Sequence, residues 1–181
     1  MVALVALTGG LHLDGLMDSC DGLFGGYTRE RRLEIMRDAH LGSFGVLGGG
    51  AVLLLKFGLL LSLPDATRGA ALLLAPAFGR WTLVLAAVLF PPARPDGLGA
   101  AFRAALSPRR VVTAALSVLV LASFAGAIGL LALVICSIGV WRLGRWIAAA
   151  LGGLTGDSYG ALAELTEALA LLVFALGVGG L

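Results

Sequence analysis

From Val111 to Val140 the chain carries no charged side chain. Such a stretch is too long for one ordinary bilayer crossing, which takes about 20 apolar residues, and too apolar for a helix whose outer face meets water. Gly126 and Gly129 punctuate its middle, a turn signal inside an apolar run. Two helices folded into a tight hairpin are therefore predicted. The hairpin arms at 108–126 and 128–148, with the runs at 43–63, 69–90 and 159–180, make about five full spans. Met1 to about Leu13 would reach only about 20 Å, a partial span at the N-terminus. A chain that is 59% hydrophobic and 13% charged, with a mean hydropathy of +1.00, belongs in a bilayer. The expected fold is all-α: a polytopic transmembrane helix bundle, one membrane-embedded domain over 1–181.

The positive charges test this layout, because Lys and Arg near span ends mark the cytoplasmic side. They collect in three places: Arg29, Arg31, Arg32 and Arg37; then Arg94, Arg103, Arg109 and Arg110; then Arg142 and Arg145. Two spans separate each group from the next, so all three fall on one face, which is read as cytoplasmic in a multi-pass protein of the inner (plasma) membrane. An unsplit 111–148 helix would throw the last pair across the bilayer. The net charge of +2 gives no reason to expect a nucleic-acid partner. Cys20 and Cys136 form neither a disulfide framework nor a paired-cysteine zinc site.

Chemistry concentrates in GGLHLDGLMDSCDGLFGG, where Asp14, Asp18 and Asp21 stand at i, i+4 and i+7. On a helix these fall within an arc of about 60°. At roughly 6 Å and an effective dielectric near 20, each adjacent pair of bare carboxylates repels by about 3 kcal/mol. Something positive is expected there, and hard oxygen donors without a Cys or His pair suit Mg²⁺, or Mn²⁺, rather than zinc. The competing reading is an ordinary charged helix face.

Next comes a predicted helix with Thr28 as N-cap and Glu30 in its first turn, running through RERRLEIMRDAH to Gly42. Two readings stand side by side. It is either an interfacial amphipathic helix whose charges pair with each other and with lipid head groups, or a catalytic element. In the second, Arg31, Arg32 and Arg37 hold phosphate oxygens and Glu34 or Asp38 completes a metal site or acts as base. Metal-binding carboxylates beside arginines are what phosphoryl transfer needs. Within the spans, Arg80 is expected to face the interior, reaching substrate phosphate or a structural ion pair, and Lys56 to snorkel toward a span end. Asp157 and Glu164, seven apart, share a face running from a loop into the membrane, as site members or structural partners, and Glu167 lies deeper. His12 and His40, beside the acidic segments, read as hydrogen-bonding neighbours.

TGGLHLDGLMDSCDGL followed by RERRLEIMRDAHLGSFG closely resembles the cobalamin synthase family (adenosylcobinamide-GDP ribazoletransferase). GGLTGDSYGALAELTE looks like that family's C-terminal signature, and RPDGLG at 94–99 fits the connection between them, so the resemblance covers essentially the whole chain. It implies a Mg²⁺-dependent inner-membrane enzyme of late cobalamin assembly. A ribose hydroxyl of α-ribazole or its 5′-phosphate attacks the corrinoid-side phosphorus of adenosylcobinamide-GDP, GMP leaves, and adenosylcobalamin or its 5′-phosphate forms. By carry-over Asp14, Asp18 and Asp21 bind metal, Glu34 and Asp38 are ligand or base candidates, and Arg31, Arg32 and Arg37 lie near the diphosphate. The substrate-binding set is completed by Arg80, Asp157 and Glu164. The pattern also implies more hydrophobic sequence before TGGLHLDG than this chain has. CDP-alcohol phosphotransferases share the metal-carboxylate logic, but the Ala-Arg pair expected after their first Asp-Gly is missing here. The further alternatives are a transporter, whose carboxylates should lie near the midplane, and a membrane scaffold. Partners are the two substrates and lipid, and a homo-oligomer is compatible with the sequence.

Overall fold

The computed structural model describes Ala6 and residues 8–177, so residues 1–5 and 7 of the predicted N-terminal partial span lie outside the described residues. Among these residues run eight named α-helices and no strand: α1 (Leu11–Gly25), α2 (Arg29–Ile35), α3 (Ser43–Ser62), α4 (Asp65–Leu89), α5 (Leu98–Ala105), α6 (Pro108–Phe124), α7 (Gly126–Leu151) and α8 (Gly156–Leu176). By length and apolarity α3, α4, α7 and α8 can each cross a membrane, and α6 joins them as a fifth span if counted with α5, from which it bends by 91°. The protein is a polytopic helix bundle.

α6 and α7 form the predicted hairpin. Gly126 takes a left-handed φ of 67°, which reverses the chain, and a Cβ on Gly129 would run into the Ala122 carbonyl. Around it, Leu54, Leu61, Leu73, Leu116, Val134 and Ile138 stay exposed, the surface a bilayer covers. α8 is the central post, with 72% of its apolar window buried against 22% for α3 and for α7. One core cluster gathers Leu63, Leu74, Phe78, Cys136 and Phe174; another gathers Leu23, Phe90, Ile147, Leu151 and Leu162.

Two features differ from expectation. The segment predicted helical to Gly42 is a helix only over Arg29–Ile35. Thr28 caps it as predicted, accepting from the Arg31 N–H, but Asp38 accepts from the His40 N–H and turns the chain out of the helix. The second is α5, unforeseen in the connection 91–110: Arg103 Nη1 donates to the Ala87 and Phe90 carbonyls, both at 2.5 Å, tying α5 to the open end of α4.

The first two basic regions and the loop that follows Arg142 and Arg145 meet at one end of the bundle. Arg29 Nε donates to Leu151 O at 2.7 Å and its Nη2 to Ala93 O, Arg94 Nη2 donates to Leu33 O at 2.6 Å, and Leu154 pairs with Pro91 and Ala93 through backbone bonds. Cations at helix C-termini are favourable by both hydrogen bonding and the helix dipole.

Candidate functional site

Where α1 crosses α8 the backbones nearly touch. A Cβ on Gly15 would sit 2.8 Å from Asp157 O, and one on Gly160 would sit 2.9 Å from His12 O. Two glycines facing a foreign backbone bring the first turn of α8 against the acidic face of α1. Thr155 and Ser158 close a capping box there and fix the start of α8 just before Asp157. Asp14 and Asp157 line one cavity together.

Asp18 bears the electrostatic consequence. α1 is too short to be a span, yet burial, and then the charges of Asp14, Asp157 and Asp21, push the Asp18 carboxyl up to about 6. The cluster is short of positive charge. Among the described residues no three His, Cys, Asp or Glu side chains stand close enough to form a closed ligand set. Mg²⁺ rarely uses such a set; it is held by one or two carboxylates, with waters and substrate phosphate oxygens filling its shell. Asp14, Asp18 and Asp157 are the carboxylates from which one or two would be drawn.

Asp21 has a different job. Its Oδ2 accepts from the Gly42 N–H and its Oδ1 from the Gly45 N–H, both at 2.8 Å, and the side chain is buried. Gly42 is the N-cap of α3 and offers no side chain of its own, so a carboxylate from α1 satisfies the orphan amides and meets the positive end of the helix dipole. Asp21→Ala is expected to lower stability by about 2 kcal/mol, read as a fall in the unfolding midpoint in detergent.

The arginines divide in the same way. Arg32 donates to Gly26 O and Ala150 O, and Arg31 pairs with Glu34 at 2.8 Å on the exposed face of α2. Arg37 is exposed and close enough for its charge to act on Arg94. Asp38 is exposed, and the His40 backbone N–H, with the His40 ring, holds its carboxyl below the usual range. Neither Glu34 nor Asp38 joins the Asp14, Asp18 and Asp157 group. Arg80 reaches Glu167 at 3.0 Å, and Glu164 and Glu167 both accept from Lys56 Nζ, so Glu164 is a member of a buried ion-pair network. The expected snorkelling of Lys56 is corrected here: it is 6% exposed and points inward, because two carboxylates at 2.8 and 2.5 Å outweigh water at the span end.

Arg94 is the cation that the sequence reading left among the loop charges. Its guanidinium and Asp157 line a cavity of about 210 Å³ with Gly97, Gly99, Thr155 and Gly156, and the charges of Arg94 and Asp157 act on each other. Its Nε is buried with no hydrogen-bond partner. The N-termini of α5 and α8 border the same space, so two helix N-termini and a cation line one small cavity beside the acidic cluster.

A family model described as cobalamin-5-phosphate synthase matches residues 1–175. The chain belongs to that family. Curated relatives named adenosylcobinamide-GDP ribazoletransferase include one from Roseiflexus sp. (strain RS-1), 46% identical over 97% of this chain and 66% of the relative. Another, from Desulforamulus reducens (strain ATCC BAA-1160 / DSM 100696 / MI-1), is 40% identical over 98% of this chain and 72% of the relative. A third, from Stutzerimonas stutzeri (strain A1501), is 44% identical over 97% of this chain and 72% of the relative. This cobalamin-5-phosphate synthase family chain thus spans roughly two thirds of their length. No solved structure matches it.

Proposed function

We propose that the protein transfers the adenosylcobinamide-phosphate group of adenosylcobinamide-GDP to α-ribazole or α-ribazole 5′-phosphate at the basic end of the bundle, which faces the cytoplasm from the inner membrane. The reading is carried by one observation: Asp14 and Asp18 of α1 and Asp157 of α8 share a charged neighbourhood bordered by Arg94, whose Nε is buried and unpartnered.

One or two of Asp14, Asp18 and Asp157 would hold Mg²⁺, or Mn²⁺, with water and phosphate oxygens completing its shell, and the ion when bound neutralises charge on the diphosphate oxygens. Asp21 supports this set by pinning α3 to α1. Arg94, with Arg37 beside it, orients the diphosphate through charge-assisted hydrogen bonds. The acceptor's ribose oxygen bonds to the corrinoid-side phosphorus, the bond from that phosphorus to the bridging oxygen breaks, and GMP departs with that oxygen. A carboxylate of the cluster accepts the hydroxyl proton. A transporter reading loses its support because the carboxylates buried deepest in the spans, Glu164 and Glu167, are matched by Lys56 and Arg80.

The test is GMP release by the protein in vesicles. Release is expected only with adenosylcobinamide-GDP, α-ribazole and Mg²⁺ all present, and to stop with chelator. GMP release at full rate without α-ribazole would mean hydrolysis and overturn the reading.

A further inference from the structure

A second cavity, of about 230 Å³, opens on the other side of Asp157 and shares Leu98, Gly156 and Asp157 with the cavity around Arg94. Its walls come from four helices and are mostly apolar: Leu11 of α1, Leu83 of α4, Leu98 and Phe102 of α5, and Tyr159 of α8. The Phe102 and Tyr159 rings lie 6.1 Å apart, tilted by 59°. Two polar groups belong to residues in this wall and have no partner: the Tyr159 hydroxyl, on a side chain only 5% exposed, and His12 Nδ1. A buried polar atom left unpaired costs about 1–3 kcal/mol. Two such atoms on residues that wall one cavity point to a ligand that supplies the partners.

We propose that this cavity binds the aromatic base of the acceptor nucleoside, with Tyr159 Oη donating to its free ring nitrogen and His12 Nδ1 meeting a ribose hydroxyl. The proposal rests on the transferase reading above and assigns its acceptor subsite. Two nucleosides are available to that reaction. Guanine carries donors and acceptors around most of its edge, and in apolar walls whose polar side chains are Tyr159, His12 and the carboxylates of Asp14 and Asp157, already assigned to the diphosphate and its cation, several of them would stay unpaired. A benzimidazole nucleoside offers a single unsubstituted ring nitrogen, and the rest of its bicyclic ring is apolar. With that base between Leu83, Phe102 and Tyr159, the sugar extends toward Asp14 and Asp157, and the donor diphosphate reaches the same carboxylates from the Arg94 side. Tyr159 and His12 are binding and positioning residues in this arrangement.

Equilibrium dialysis of α-ribazole against the full chain in nanodiscs tests the assignment without turnover. Tyr159→Phe is expected to weaken α-ribazole binding by about 3- to 10-fold. It should leave adenosylcobinamide-GDP binding and the unfolding midpoint unchanged, since the hydroxyl it removes has no protein partner. Leu83→Trp, which fills the cavity, should weaken α-ribazole more than 10-fold, and free benzimidazole should displace α-ribazole where GMP does not. Unchanged α-ribazole affinity in both variants, displacement by GMP, or no binding to the parent protein would overturn the subsite. The transferase reading falls separately, if the parent binds α-ribazole and adenosylcobinamide-GDP yet forms no GMP from them with Mg²⁺.

Discussion

Asp18→Asn is expected to cut GMP release about a thousandfold and, in chelator at neutral pH, to leave the protein more stable than its parent. Both effects follow from one charge. Without a cation, ionised Asp18 is penalised by burial and by the charges of Asp14, Asp157 and Asp21, which raise its carboxyl from 3.8 to about 6. A raised folded-state value means that the parent is most stable while Asp18 is protonated and loses that contribution as pH rises through about 4 to 6. The amide escapes the loss. Its advantage should be on the order of 1 kcal/mol at pH 7 after allowance for solvent screening, and should vanish below about pH 4. The same amide is a poor ligand for a hard divalent ion, so charge stabilisation in the transition state goes with it, an effect of about 10²–10³ when one such group is lost. Unfolding midpoints across pH in EDTA, beside GMP release in Mg²⁺, check the pair. Retained turnover would remove Asp18 from the essential set. Asp21→Ala should move stability the opposite way, because its carboxylate is stabilised by two amides and a helix dipole.

That opposition marks the limit of what the spacing in GGLHLDGLMDSCDGLFGG could reveal. Helical periodicity placed Asp14, Asp18 and Asp21 on one face, but it could not say what packs against that face. The partners of Asp21 are amides 21 and 24 residues further on, and Asp157 meets Asp18 only because α8 crosses α1 at Gly15 and Gly160. Arg32 looked like a phosphate ligand for the same reason: its carbonyl partner at Ala150 lies 118 residues away. The hairpin at Gly126 was legible because apolar length and a local chain reversal are sequence-near quantities. So was the meeting of the connections at 29–37, 91–97 and 151–155, which depends only on counting crossings. Helix α5 was hidden inside a connection read for its charges, although LGAAFRAA after Asp96-Gly97 is rich in Ala, Leu and Arg, which favour a helix despite Gly99. Arg94 and Tyr159 were beyond local reading, because what sets them apart is an atom without a partner.

Lys56 is the residue whose loss the fold should tolerate least. Its ammonium lies between Glu164 and Glu167, all three side chains under 10% exposed, while Arg80 holds the other oxygen of Glu167. Two cations and two carboxylates balance, which is how ionised groups persist inside a membrane bundle. The pairing does not by itself add much stability, since taking charges out of water costs nearly what their attraction returns. Removing one partner is another matter. Lys56→Met keeps the volume and leaves Glu164 ionised without a counter-charge, or forces it to take up a proton, and breaking a buried pair in this way costs about 3–5 kcal/mol. The expected result is a large fall in the unfolding midpoint in detergent, with GMP release lost once the α3, α4 and α8 contacts loosen. Lys56→Met combined with Glu164→Gln should recover most of the midpoint, because it removes the stranded charge along with its partner and leaves Arg80 on Glu167. A single variant as stable as the parent would mean that Lys56 reaches water in the folded protein and that the carboxylates of α8 are neutralised by other means.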